Sequence, residues 1–194
     1  IAQRWLHEAG VDVPRVAGGY KALRQACLDA TRDFCASARL LVIGGRTGSG
    51  KTQLLNEFAP ALDLERLANH RGSAFGARAS GQPMPIAFEN ALAIEMLAMP
   101  PGAQILIEDE GRTIGRIALP ELLHAAMQRA PLVVLDVPRP ERARRIYEEY
   151  VVEPRSLGVP VDTLHARFVG AVDRIRRRLG GDRHVAVRAT IEAA

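Results

Sequence analysis

Three observations predict an α/β fold, a mainly parallel sheet flanked by helices. Short apolar runs alternate with helical stretches along most of the chain, the pattern of strands joined by crossover helices. The first run, Leu40-Leu41-Val42-Ile43, leads into the glycine-rich octet Gly45-Arg46-Thr47-Gly48-Ser49-Gly50-Lys51-Thr52. That octet matches G-x-x-x-x-G-K-[ST], and Gln53–Phe58 continues from it as a helix. The 194 residues are 47% hydrophobic and 25% charged, enough for one α/β domain with a proper core and a smaller piece beside it.

Taken in order, Ala2–Ala9 reads as a helix with neither a capping residue nor an initiator methionine ahead of it. We therefore expect a start inside a longer protein. Val11–Val16 is expected as a short edge strand, where Pro14 is tolerated. Gly18-Gly19 turns into a helix from about Tyr20 to Cys35. Residues 1–36 are too few for a core of their own and are expected to complete a domain that begins upstream. Residues 37–194 are expected to form the phosphate-binding domain. Its strands fall at 40–43, 61–64, 104–107 and 132–135, and its helices at 52–58, 86–99 and 120–129. Pro140 opens a further helix to about Tyr150, at a position proline favours. A polar loop spans residues 65–85, and the last third is mostly helical.

The octet names a chemical group. Its glycines let successive N–H groups point at phosphate oxygens, and the following helix adds its positive end. Lys51 supplies a point charge, and the Thr52 hydroxyl can ligate Mg²⁺. Gly45, Arg46, Thr47, Gly48, Ser49, Gly50, Lys51 and Thr52 are thus the expected cradle, and the fold is P-loop NTPase-like. A second element fits beside it. The apolar strand Ile105-Leu106-Ile107 ends in Glu108-Asp109-Glu110, where either Glu108 or Asp109 can hold the metal with Thr52 and Glu110 can polarise a nucleophile. The run Asn69-His70-Arg71-Gly72-Ser73 follows a predicted strand, where ligands of open α/β sheets bind. Arg71 suits a diphosphate and His70 acid–base work, unless the loop folds on itself with its own hydrogen bonds. Arg112 and Arg116 are candidates for phosphate or RNA contact.

The net charge of +4 and pI near 9.6 permit an anionic partner. Two basic runs, Arg142-Ala143-Arg144-Arg145 and Arg174–Arg178, are either solvated helix faces or an RNA surface. Cys27 and Cys35 make no disulfide framework and suit apolar packing in a reducing cytoplasm. No apolar stretch is long enough to span a membrane.

The segments Leu64–Gly76, Phe88-Glu89-Asn90, Glu108–Gly115 and Glu148-Glu149-Tyr150, taken with the octet, resemble the tRNA 2-selenouridine synthases. The resemblance implies a rhodanese-like domain followed by a P-loop domain, and Gly18–Arg24 is similar to the segment closing the first. It implies action on the wobble 2-thiouridine of a tRNA anticodon. Geranyl diphosphate alkylates the sulfur, selenophosphate then supplies selenium, and geranyl thiol leaves. Lys51, His70, Arg71 and Glu110 become catalytic candidates. Asn69, Arg71 and Arg112 join the P-loop in binding the diphosphate, and Thr52 with either Glu108 or Asp109 stays the expected Mg²⁺ site. In this reading the P-loop need not hydrolyse ATP or GTP. The rhodanese cysteine of the family would precede Ile1, and neither Cys27 nor Cys35 replaces it, so selenation is not expected of this segment alone. The alternative is a P-loop kinase or NTPase on a small molecule, with Arg142, Arg144 and Arg145 as a lid.

Overall fold

The structure is a computed structural model and describes residues 2–78 and 80–193. Helices α1 (Ala2–Glu8) and α2 (Gly19–Ser37) precede strand β1 (Arg39–Gly45) and helix α3 (Lys51–Glu57). Strand β2 (Ala61–Leu62) and helix α4 (Leu64–Leu67) follow, then α5 (Pro85–Leu97) and β3 (Gln104–Glu108). A hairpin of β4 (Thr113–Ile114) and β5 (Ile117–Ala118) comes before α6 (Glu121–Arg129) and β6 (Leu132–Leu135). The sheet is parallel with order β2-β3-β1-β6, so the strand feeding the phosphate loop lies inside it. The inner strands β1 and β3 are near-continuous apolar runs, largely buried as parallel strands usually are, whereas the edge strand β6 leaves Leu132, Val133 and Val134 exposed. Leu40, Val42, Ile105 and Ile107 pack with Phe88, Leu92 and Met96 of α5 and Leu123 and Met127 of α6.

Three expectations change. The 61–64 strand stops at Leu62, because Asp63 caps a helix instead: its Oδ1 accepts the Arg66 N–H at 2.7 Å. Part of the supposed 65–85 loop is therefore helix α4. Val11–Val16 forms no strand; it stays exposed, with no neighbouring strand among the described residues to share a ladder. The β4–β5 hairpin around Gly115-Arg116 was not foreseen. Helix α2 packs against α5 and α6, brings Phe34 and Cys35 to the core, and holds Asn90 through Arg24 at 2.7 Å.

Beyond the sheet, α7 (Arg139–Tyr147) runs through a π-helical turn (Glu148–Val152) into α8 (Glu153–Ser156). Such widened turns swing side chains out of the ordinary helical register. Helices α9 (Val161–Arg174), α10 (Arg176–Leu179) and α11 (Gly181–Glu192) complete the chain. His184 is buried there, 2.8 Å from Asp173, which also accepts from Arg188 at 2.6 Å. No helix among the described residues is long and apolar enough to cross a membrane.

Candidate functional site

The eight residues 45–52 wrap the carboxyl end of β1 and open α3, and all of them line one cleft of about 490 Å³. Gly50 is the N-cap, at φ 87°, and a Cβ there would stand 2.6 Å from the Arg145 guanidinium. Only glycine combines that backbone with so close an approach. Lys51 Nζ folds back to the Gly45 carbonyl at 3.1 Å, over the cavity of the loop. The octet thus forms a tight loop ahead of α3, whose first N–H groups have no partner within the helix.

The wall opposite is acidic. Glu108 ends β3 fully buried, and its Oε1 accepts from the Thr52 hydroxyl at 2.8 Å while Oε2 has no partner. Glu65, Glu108 and Glu110 each bring one carboxylate oxygen within 4.8 Å of the others. Burial, with Glu65 and Asp63 alongside, pushes the Glu108 carboxyl up to about 8, against the Thr52 hydrogen bond. Burial and then Glu65 push Glu110 up to about 7, against the pull of Lys51. A buried carboxylate without a partner is costly, so this wall suits a proton or a cation. Asp109 is exposed; it lines this cleft and a second one of about 660 Å³ beside β6.

The loop after α4 divides its side chains between two sides. Arg71 enters the cleft, donating to the Glu149 carbonyl at 2.7 Å and to Glu153 at 2.5 Å, with Tyr150 5.1 Å from its guanidinium. Ser73 meets the Tyr150 hydroxyl at 2.7 Å. Gly72 lies close against the acidic wall: a Cβ there would stand 2.3 Å from a Glu110 carboxylate oxygen and 2.7 Å from one of Glu65, and would push those side chains aside. Its N–H donates to Glu65, so the loop and the acidic wall are one unit. His70 and Asn69 depart from the expected placement. The His70 ring is buried beside Gly115, outside the cleft lining, and burial lowers its pKa. Asn69, at φ 48°, spends its amide on Ser80 and on the Gly81 carbonyl. Arg112 is exposed on the hairpin side and does not line the cleft either.

A family model described as "tRNA 2-selenouridine synthase AAA domain" matches residues 38–194. The chain belongs to that family. It is 45% identical to a protein of Hahella chejuensis named tRNA 2-selenouridine synthase, over all of this chain and 54% of that one. Proteins of the same name from Ectopseudomonas mendocina and Pseudomonas fluorescens are each 46% identical over all of this chain, and over 55% and 56% of their own lengths. The chain thus spans about half the length of the curated relatives it matches. No solved structure matches it. Membership of the family does not favour the small-molecule kinase alternative.

Two features of this synthase-family cleft had little sequence signal. Glu65 joins the acidic wall only because Asp63 starts α4 and turns residue 65 inward. Arg142 and Arg145, offered by the sequence as an RNA surface, reach carbonyls of the phosphate loop instead: Thr47 at 3.4 Å and Ser49 at 2.8 Å. Cys35, pushed up to about 11 by burial, is an inert packing thiol.

The acidic wall has a pH signature. The folded protein holds the Glu108 proton up to about pH 8, whereas an unperturbed carboxyl releases it near 4.5. Stability from this group is full below pH 4.5 and is lost as pH rises through 8. With a chelator present, the melting temperature of the wild type is expected to fall between pH 5 and 8. Glu108→Gln keeps an acceptor for Thr52 and is expected to flatten that fall, leaving the part due to Glu110. Parallel curves for the two proteins would contradict the assignment.

Proposed function

We propose that this chain is the diphosphate-handling part of a tRNA-modifying transferase that alkylates wobble 2-thiouridine with geranyl diphosphate. The observation that carries the reading is the single cleft in which residues 45–52 face Arg71 and Glu110. It offers a polyphosphate cradle, a guanidinium and a carboxyl group near neutral pKa in one place. The relatives' name supplies the tRNA substrate class.

In the reaction the thiocarbonyl sulfur attacks the first carbon of the geranyl chain, and the carbon–oxygen bond breaks toward the diphosphate. Negative charge grows on that leaving group, so N–H groups of the loop, Lys51 and Arg71 stabilise the transition state more than the ground state. The alkylated base sheds its ring N–H proton, and Glu110, in the cleft lining with its carboxyl pushed up to about 7, is the group proposed to take it. Mg²⁺, when bound, would neutralise further diphosphate charge, with Thr52 and Glu108 holding it and Asp109 at the exposed rim; the unpartnered Glu108 Oε2 fits such a group. ATP or GTP is not the working ligand in this reading. Selenophosphate enters after alkylation: its selenium bonds to the base carbon as geranyl thiol leaves with a proton, and water then cleaves the phosphorus–selenium bond, releasing phosphate and leaving 2-selenouridine. That step would draw on the rhodanese-like domain the resemblance implies.

The test is to incubate the protein with 2-thiouridine-containing tRNA and geranyl diphosphate, digest the RNA, and weigh the nucleosides. A geranylated 2-thiouridine with diphosphate released is expected. Steady Mg²⁺-dependent ATP turnover without any alkylated nucleoside would overturn the reading.

A further inference from the structure

Two arginine runs of equal promise in the sequence part company in the structure. In α7, Arg144 pairs with Glu148 at 2.7 Å, while Arg142 and Arg145 turn in to the phosphate loop. Arg144 thus has its charge offset by a carboxylate, and Arg145 is half-buried against the loop. The C-terminal run differs. Arg174, Arg176, Arg177 and Arg178 are exposed, and among the described residues none has a carboxylate at ion-pair distance. The nearby acid Asp173 is already engaged by Arg188 and His184.

This run is also tied to the cleft. Arg174 donates to the Ala74 carbonyl at 3.4 Å, and Phe168 of α9 meets Phe75 edge-on with ring centroids 6.2 Å apart. Ala74 and Phe75 belong to the loop that delivers Arg71. From that loop Arg78, also exposed and without an ion pair among the described residues, lines the cleft itself. A basic track with no ion pair among the described residues thus runs along the chain from Arg178 to Arg174, which touches the loop that carries Arg78 of the cleft lining.

We infer that this track, and not α7, is where the phosphodiester backbone of the RNA substrate lies. The inference rests on the proposed action on tRNA. It follows from charge complementarity: exposed guanidiniums without acidic partners keep their full charge for phosphates, and each contact releases counterions.

The experiment measures tRNA binding by the whole protein at rising KCl, beside binding of inorganic diphosphate. The triple variant Arg176→Ala, Arg177→Ala, Arg178→Ala is expected to bind tRNA roughly tenfold to a hundredfold more weakly near 0.1 M salt. The slope of log affinity against log salt should drop by about 2 to 3. Diphosphate binding should not change, which shows the variant is folded. The triple change to lysine should restore most of the slope, and Arg144→Ala should leave tRNA binding as it is. An unchanged slope in the alanine variant overturns the inference while leaving the alkylation reading intact. If the wild type binds anionic phosphatidylglycerol vesicles but no tRNA, the track serves a membrane and the inference is wrong. The separate alkylation assay then decides whether the function falls with it.

Discussion

Replacing Lys51 by alanine is expected to weaken geranyl diphosphate binding about 10- to 150-fold, the loss of one charge-assisted hydrogen bond in a partly dry cleft. Lys51 is one of only two lysines in a chain that otherwise uses arginine, and it stands at the position that reaches the terminal phosphates. Its ammonium already rests 3.1 Å from the Gly45 carbonyl, inside the loop that would surround the ligand. Lys51 is the only lysine among the residues lining the cleft. Arg145 is held by the Ser49 carbonyl, and Arg71 reaches the cleft from the π-helical side, so neither guanidinium sits inside the loop where Lys51 does. Lys51→Arg should not rescue, because a broad planar fork does not fit where a compact charge sits. Isothermal calorimetry reads the effect directly, and equal affinities for wild type and Lys51→Ala would remove Lys51 from the diphosphate site.

Gly76→Ala is expected to be the most damaging single-methyl change in the molecule. A Cβ at residue 76 would stand 1.5 Å from the Arg71 carbonyl oxygen and 2.5 Å from its carbonyl carbon. Those are backbone atoms, so no side-chain rotation relieves the clash. The loop must open, breaking the Arg71 N–H bond to the Gly76 carbonyl at 3.0 Å and the Gly76 N–H bond to Ser73 at 2.9 Å. Arg71 would then leave the cleft, and Ser73 would leave Tyr150. We expect a loss of about 3 kcal/mol or more, in the range of strained-backbone and core-disrupting substitutions. At roughly 2–4 °C per kcal/mol for a chain of this size, the melting temperature should fall by about 6 °C or more. Gly111→Ala is the control: a Cβ there meets nothing within 4 Å, and stability should not move. A Gly76→Ala variant that melts with the wild type would contradict the loop geometry.

The parts legible in the sequence were those with local causes. The run at 40–43 reads as buried strand because it is continuously apolar, and the octet after it reads as a tight loop opening a helix because of its glycine spacing. Glu108 was visible as an acid at the end of an apolar strand. What stayed hidden depended on competition or distance. Leu64 looked like the end of a strand, but the Asp63 cap outweighed that preference, and Glu65 then entered the acidic wall. The Gly115-Arg116 turn was readable in principle, since glycine opens tight hairpin turns, yet two-residue strands carry almost no periodic signal. His70 has the composition of an acid–base catalyst, and only packing against Gly115 takes it out of the cleft. The two arginine runs are indistinguishable by composition. Their neighbours in space, Glu148 and the Thr47 and Ser49 carbonyls, separate them.

The decisive measurement is a competition titration of the wild-type protein with geranyl diphosphate and ATP, each with Mg²⁺. Geranyl diphosphate is expected to bind at one site, to be displaced by inorganic diphosphate, and to be little affected by ATP. Tight ATP binding at that site, with no measurable affinity for geranyl diphosphate, would show that the P-loop holds a nucleotide and that the proposed alkyl donor is wrong.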